Sequence, residues 1–162
     1  MDPVRALYAD HDELVMRLQE LEDLCVRAER GAEPPELAAA LGAMIDRPRE
    51  EVDVHSNKEE IGLLPVLRSH RLPEDLLETL LDEHEGVRAH VHDFAIEAGL
   101  WLSGGRSRDP AWIGPARLAR GLLSTHIQKE NLLLFPLAER LLTAEERAEV
   151  ADAFARLDGG GA

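Results

Sequence analysis

The stretch HSNKEEIGLLP at residues 55–65 returns as HIQKENLLLFP at residues 126–136, an offset of 71. Two leucine-rich helices share apolar letters by chance, but His, Lys, Glu and Pro in register need a physical reason. Within each copy, His and Glu stand four residues apart, so on a helix they lie one turn apart on nearly the same face. Each pair, His55 with Glu59 and His126 with Glu130, offers a nitrogen and an oxygen donor to one point. This is chelate spacing, and imidazole with carboxylate suits iron, manganese or zinc.

Working outward, helix breakers cluster at Gly31–Pro35, Arg71–Pro73 and Gly104–Pro110 and divide the chain into four long segments. No segment alternates with the period of a strand. Residues 3–30 place Val4, Leu7, Leu14, Leu18, Leu21, Leu24 and Cys25 at helical spacing behind an Asp2-Pro3 start. The second segment, about 35–69, contains Pro48 and should bend there. The third, about 74–103, carries Leu76, Leu77, Leu80, Leu81, Val87, Val91, Phe94 and Ala95. The fourth, about 110–142, starts loosely and should become regular by Arg117. Thr143-Ala-Glu-Glu146 has the form of a capping box opening a short helix of about 144–157. The expected fold is all-α: one domain over residues 1–158, an up-down-up-down four-helix bundle of two αα-hairpins (about 3–69 and 74–142) with a short C-terminal helix and a flexible tail at 159–162.

Segment lengths set which residues share a level. About 20 residues separate His11 from the first turn and about 20 return to His55; from His84 to the Gly104 turn is about 20, and about 17 lead back to His126. His55 and His84 lie about 16 and about 11 residues from their shared turn, a mismatch of roughly 7 Å that Pro65 and an irregular turn would absorb. One histidine per helix thus reaches a common level. His11 and His84 form a weaker repeat, Asp10-His11-Asp12 against Glu83-His84-Glu85, offset by 73. Four imidazoles level with two carboxylates in one core carry a heavy desolvation cost unless cations or protons compensate. His70, His90 and His92 fall outside the pattern, and Glu60 turns about 100° from Glu59, so all four read as surface residues.

His11, His55-x-x-x-Glu59, His84 and His126-x-x-x-Glu130, with LLP and LFP after the two glutamates, resemble the hemerythrin-like (HHE cation-binding) domain over residues about 5–142. The resemblance implies a non-haem di-iron centre in a four-helix bundle, in a family whose members bind oxygen, sense iron or oxygen, or handle nitric oxide and peroxide. Carried over, His11 and His55 bind one iron, His84 and His126 the other, and Glu59 and Glu130 bridge them together with a hydroxide or oxide. Manganese fits the same donors. Oxygen-carrying hemerythrins have His-x-x-x-His on the third helix; this chain has Arg88 at that place. His90 and His92 do not substitute, being turned about 240° and about 80° from His84. By ligand count each iron is left with an exchangeable position, which favours turnover of a small oxidant such as oxygen, peroxide or nitric oxide over reversible carriage. An iron or oxygen sensor, and an oxidase acting on a small organic substrate, are the alternatives.

Other residues read two ways. Arg88 either points its guanidinium at the open site or pairs with Glu85 or another carboxylate. Tyr8, on the face of His11, is either a redox or hydrogen-bonding neighbour of the site or a core aromatic with its hydroxyl at the surface. Pro65 and Pro136 either set the approach of the two glutamates or simply bend long helices around the core.

Composition bounds the setting. A chain of 162 residues with 44% apolar content suffices for one buried core. Eighteen basic against 32 acidic residues give a net charge of −14, which repels nucleic acid and anionic lipid. The start MDPVRALYADHDEL lacks a basic then apolar leader, and no run of about 18 apolar residues exists. With Cys25 alone unable to form an internal disulfide and placed as a packed thiol, a reducing cytoplasm is expected. The expected partner is a small diatomic or peroxide ligand, not nucleic acid or membrane.

Overall fold

In the computed structural model, which describes residues 2–104 and 110–159, every regular element is helical. The chain runs through α1 (Pro3–Glu29), α2 (Pro34–Ala43), α3 (Asp46–Asn57), a π-helical segment π1 (Lys58–Leu63), α4 (Leu64–Ser69) and α5 (Glu74–Ser103). It continues through α6 (Ile113–Lys129), a second π-helical segment π2 (Glu130–Leu134), α7 (Phe135–Leu141) and α8 (Ala144–Gly159).

The ends form where local chemistry dictates. The Asp2 carboxylate accepts from the Val4 and Arg5 N–H groups, satisfying two of the amides that begin α1, and Pro3 occupies the first position, where no N–H is needed. α1 stops in a Schellman turn: Gly31 adopts φ +78° while its N–H and that of Ala32 return to the carbonyls of Ala28 and Arg27. The expected capping box forms in full, with Thr143 N–H to Glu146 at 2.9 Å and Glu146 N–H to the Thr143 hydroxyl at 3.2 Å. The expected bend near Pro48 is a break just upstream: α2 ends at Ala43, Met44 and Ile45 make a turn, and Pro48 falls in the first turn of α3. α6 becomes regular at Ile113 rather than Arg117, because Pro115 sits in its first turn, whose N–H groups have no partner in any helix. Of the third turn, residues 105–109 lie outside the described residues, as do 160–162 of the expected tail; α8 itself continues through Gly159.

Four rods make the bundle: α1, the composite α3-π1-α4, α5, and the composite α6-π2-α7. α1 neighbours α3 and α6, and α5 neighbours the same two, closing an up-down-up-down ring. α2 closes one end against α1 and α5, and α8 lies along π1 and α1. Along α1 the buried residues read as layers. Val4 and Leu7 join Leu63, Leu134, Phe135 and Phe154; next comes His11; then Leu14 with Val52, Val87, Leu123 and Ile127; finally Leu21 and Leu24 with Trp101 and Trp112. A single polar layer is thus sandwiched between apolar ones. Cys25 is packed in the last of these, where burial and the nearby Glu22 push its thiol up to about 11, so it is inert as a nucleophile. Among the described residues no helix is long and apolar enough to cross a membrane.

Candidate metal centre

Each proline is the second residue after a π-helical segment, Pro65 behind Leu64 and Pro136 behind Phe135. A proline removes its own N–H and crowds the carbonyl four residues back, here those of Ile61 and Leu132, so the chain relieves the clash by widening the preceding turn. The widened turns begin at Lys58 and at Glu130 and carry Glu59 and Glu130 into the core, where both carboxylates are fully buried. A π turn also winds more residues into a given rise, which takes up part of the mismatch between His55 and His84. Both glutamates therefore sit on distorted helix, and the prolines bear on their approach as well as on helix curvature.

His11, His55, His84 and His126 are buried at the same level and turn Nε2 inward. The Nε2 atoms of His11 and His55 are 3.0 Å apart. Glu130 Oε2 lies 3.1 Å from His11 Nε2 and 3.9 Å from His55 Nε2, while its Oε1 lies 2.9 Å from His126 Nε2 and 3.6 Å from His84 Nε2. Glu59 is divided likewise, with Oε1 3.6 Å from His55 and Oε2 3.0 Å from His84. One oxygen of each glutamate serves each half. The donors group as His11, His55, Glu59 and Glu130 on one side and Glu59, His84, His126 and Glu130 on the other. All six residues expected from the sequence are brought together.

The donor set fits divalent cations. Both oxygens of Glu59 and of Glu130, and Nε2 of His84 and His126, are buried without a hydrogen-bond partner, although such groups are costly to leave unpaired. Electrostatics agrees. Burial, then the charge of Glu130, raises Glu59 well above the usual carboxylate range. Burial also pushes Glu130 up, but the imidazoles of His11, His126, His55 and His84 facing its two oxygens outweigh it and hold Glu130 well below that range. Burial disfavours charge on His55 and His126, yet Asp10 and Glu130 raise the first, and Glu130 and Glu83 the second. Two carboxylates in one dry layer want positive charge; cations on the imidazoles and carboxylates supply it without protons.

Three of the four imidazoles are also held from behind by a hydrogen bond. Nδ1–H of His11 donates to Asn131 Oδ1 at 2.8 Å, that of His84 to Glu60 Oε1 at 2.8 Å, and that of His126 to Glu83 Oε2 at 2.9 Å; His55 Nδ1 faces Asp10 Oδ2 at 3.6 Å. These contacts fix which nitrogen is free to ligate. The repeated lysines complete the pattern: Lys58 donates to Asp10 at 3.0 Å and Lys129 donates to Glu83, so each anchors the carboxylate behind the histidine three residues before it. This accounts for His-x-x-Lys-Glu occurring twice.

Spacing marks Lys58, Lys129, Asp10 and Glu83 as repeated positions but does not give their partners, misplaces Glu60 and passes over Asn131, because each contact crosses between rods. The signal was present in the repeat itself, where Lys58-Glu59-Glu60 matches Lys129-Glu130-Asn131 and Asp10-His11 matches Glu83-His84. Glu60 is therefore a correction: it turns away from Glu59 as expected, yet toward the back of His84 rather than into solvent. Arg88 does not reach the centre. Its guanidinium donates to Glu60 at 2.8 Å and Asn57 at 3.3 Å and lies 3.4 Å from Asp53, so it positions Glu60. Tyr8 meets Phe135 edge-on, with centroids 4.9 Å apart, and Phe135 in turn stacks on His11 at 4.8 Å; Tyr8 is a packing aromatic one ring removed from the site. His92 is exposed, His90 lies 3.8 Å from Asp93, and His70 ties α4 to the α8 capping box through Glu146 at 2.9 Å.

Compared with known proteins, residues 2–138 match the family model described as hemerythrin HHE cation binding domain. A search of curated proteins gave no match.

Proposed function

This chain belongs to the hemerythrin HHE cation-binding domain family, and from that premise we propose that it is a cytoplasmic, non-haem di-iron protein that binds oxygen, peroxide or nitric oxide and turns over the oxidant. His11 and His55 would hold one iron and His84 and His126 the other, with Glu59 and Glu130 shared; manganese suits the same donors. Such a pair of ions supplies Lewis-acid and one-electron redox chemistry toward a small oxidant.

The observation that carries this reading is the sorting of oxygens: each buried glutamate gives one oxygen to each pair of imidazoles. The surrounding residues do the rest. Leu7, Leu63, Leu134 and Phe135 on one side, and Leu14, Val87, Leu123 and Ile127 on the other, are buried and exclude bulk water, which favours a ligand of two or three atoms. Asn131, Glu60 and Glu83 hold the imidazole Nδ1 protons outward, so Nε2 stays available. Arg88, engaged with Glu60, adds no donor to the centre, and this supports turnover over reversible carriage. Iron-loaded protein should consume hydrogen peroxide without a co-substrate, followed by evolved oxygen. Ferrous protein inert to both oxygen and peroxide would refute the proposal.

A second reading, a metal or oxygen sensor, draws support from α8. Phe154 lies against Gly62 in π1, and Lys58 joins Asp10 to Asp158 of α8. If α8 reports occupancy, limited proteolysis should cut it much faster in metal-free than in loaded protein. Equal rates would refute the sensor reading.

A further inference from the structure

The two halves of the centre are not equivalent, and the difference lies behind the imidazoles. In one half, both Nδ1 partners are carboxylates at full hydrogen-bond distance, Glu60 on His84 at 2.8 Å and Glu83 on His126 at 2.9 Å. In the other, His11 donates to a neutral amide, Asn131, at 2.8 Å. His55 Nδ1 makes no hydrogen bond, because Asp10, 3.6 Å away, is drawn to Lys58 at 3.0 Å. The internal repeat isolates the cause, since the offset of 71 carries Glu60 onto Asn131. Arg88 and Lys129 accompany Glu60 and Glu83 just as Lys58 accompanies Asp10, so the halves differ less in net charge than in acceptor strength at the ring.

A carboxylate accepting from Nδ1 fixes the ring and makes Nε2 a stronger donor to a metal; an amide fixes the ring and does little more. We propose that the His84–His126 position takes the first divalent cation and holds it more tightly, that the His11–His55 position fills second, and that Glu60 and Asn131 set this order. The inference rests on the two-metal reading above. Outer partners of this kind change metal affinity by roughly 10–100-fold, so the two steps should be resolved and a one-metal form should exist over a range of metal concentration.

The test is titration of metal-free chain with Zn2+, which is redox-inert, against a competing chelator, on wild type, Glu60→Gln and Asn131→Asp. Both variants keep an acceptor on the ring and change only its charge. Wild type should show two steps at least about tenfold apart. E60Q should weaken the tight step about tenfold or more and leave the weak one, and N131D should tighten the weak step toward the other. His84→Gln should remove the tight step and His11→Gln the weak one. Two equal steps in wild type, or E60Q acting on the weak step, would overturn the order while leaving a two-metal centre in place. A chain that takes up no Zn2+ would overturn both. Should N131D fail to fold, as judged by circular dichroism, E60Q decides, because Glu60 lies at the edge of the bundle with its side chain 23% exposed.

Discussion

Replacing Lys58 by methionine should cost far more stability than replacing its repeat partner Lys129, although the two stand at the same place in the same motif. Lys58 is nearly buried, its side chain 9% exposed, and donates to Asp10 at 3.0 Å and Asp158 at 3.1 Å. Lys129 is 47% exposed and pairs with Glu83 alone among the contacts described. A hydrogen bond to a charged group contributes about 1.5–3 kcal/mol net when its partner is left largely dry, whereas an exposed pair is worth about 0.2–1 kcal/mol. Asp158 is more than half exposed and adds little, and methionine keeps the packing of the lysine stem beside Phe154, whose ring centroid lies 6.0 Å from Nζ. The sum is about 2–3 kcal/mol for K58M and under about 1 kcal/mol for K129M. Urea denaturation of the metal-free chain followed by circular dichroism, with matched slopes, would measure both. A chain of this length should show a melting point lowered by about 4–12 °C in K58M. If K129M costs as much as K58M, the burial of Lys58 is not what stabilises the repeat, and the reasoning fails.

Three further substitutions test the way α8 and α1 are fixed. A Cβ at Gly62 would fall 2.7 Å from Phe154 Cε1, so Gly62→Leu should destabilise by about 1–3 kcal/mol in thermal melts, and Phe154→Ala in the same chain should recover part of that loss; purely additive costs would contradict the contact. Asp2→Ala should cost about 1 kcal/mol through the lost cap. Burial pushes Asp2 up, but the Arg5 N–H and Arg147 outweigh it and lower it below the usual range. The difference between wild type and D2A should accordingly be complete above about pH 4 and vanish as pH falls through the lowered value; a difference that grows on acidification would contradict it.

Much of this was legible in the chain because it depends on local spacing. Asp2-Pro3, Gly31 and Thr143-x-x-Glu146 act within one helix end, and their chemistry operates wherever they occur. The four histidines could be levelled by counting because rods joined by short turns transmit residue number into height. What escaped was lateral. Glu60 reaching His84, Glu83 reaching His126 and Asn131 reaching His11 are contacts between rods, set by azimuth, and azimuth is disturbed by the π-helical turns before Pro65 and Pro136. Arg88 illustrates the same limit: its position one turn after His84 was plain, but the direction of its guanidinium depends on Glu60 from another rod. Gly62 stands where the second copy has Leu133, and only the presence of α8 explains the choice: Phe154 needs the space, whereas Leu133 is exposed.

The most direct test is metal content by elemental analysis of wild type beside the Glu59→Ala, Glu130→Ala double variant. Wild type should hold two metal ions per chain, with oxo-to-iron charge-transfer bands after exposure to air, and the variant should lose the metal. A double variant that keeps both ions, or a well-folded wild type that binds none from iron-replete medium, would contradict this.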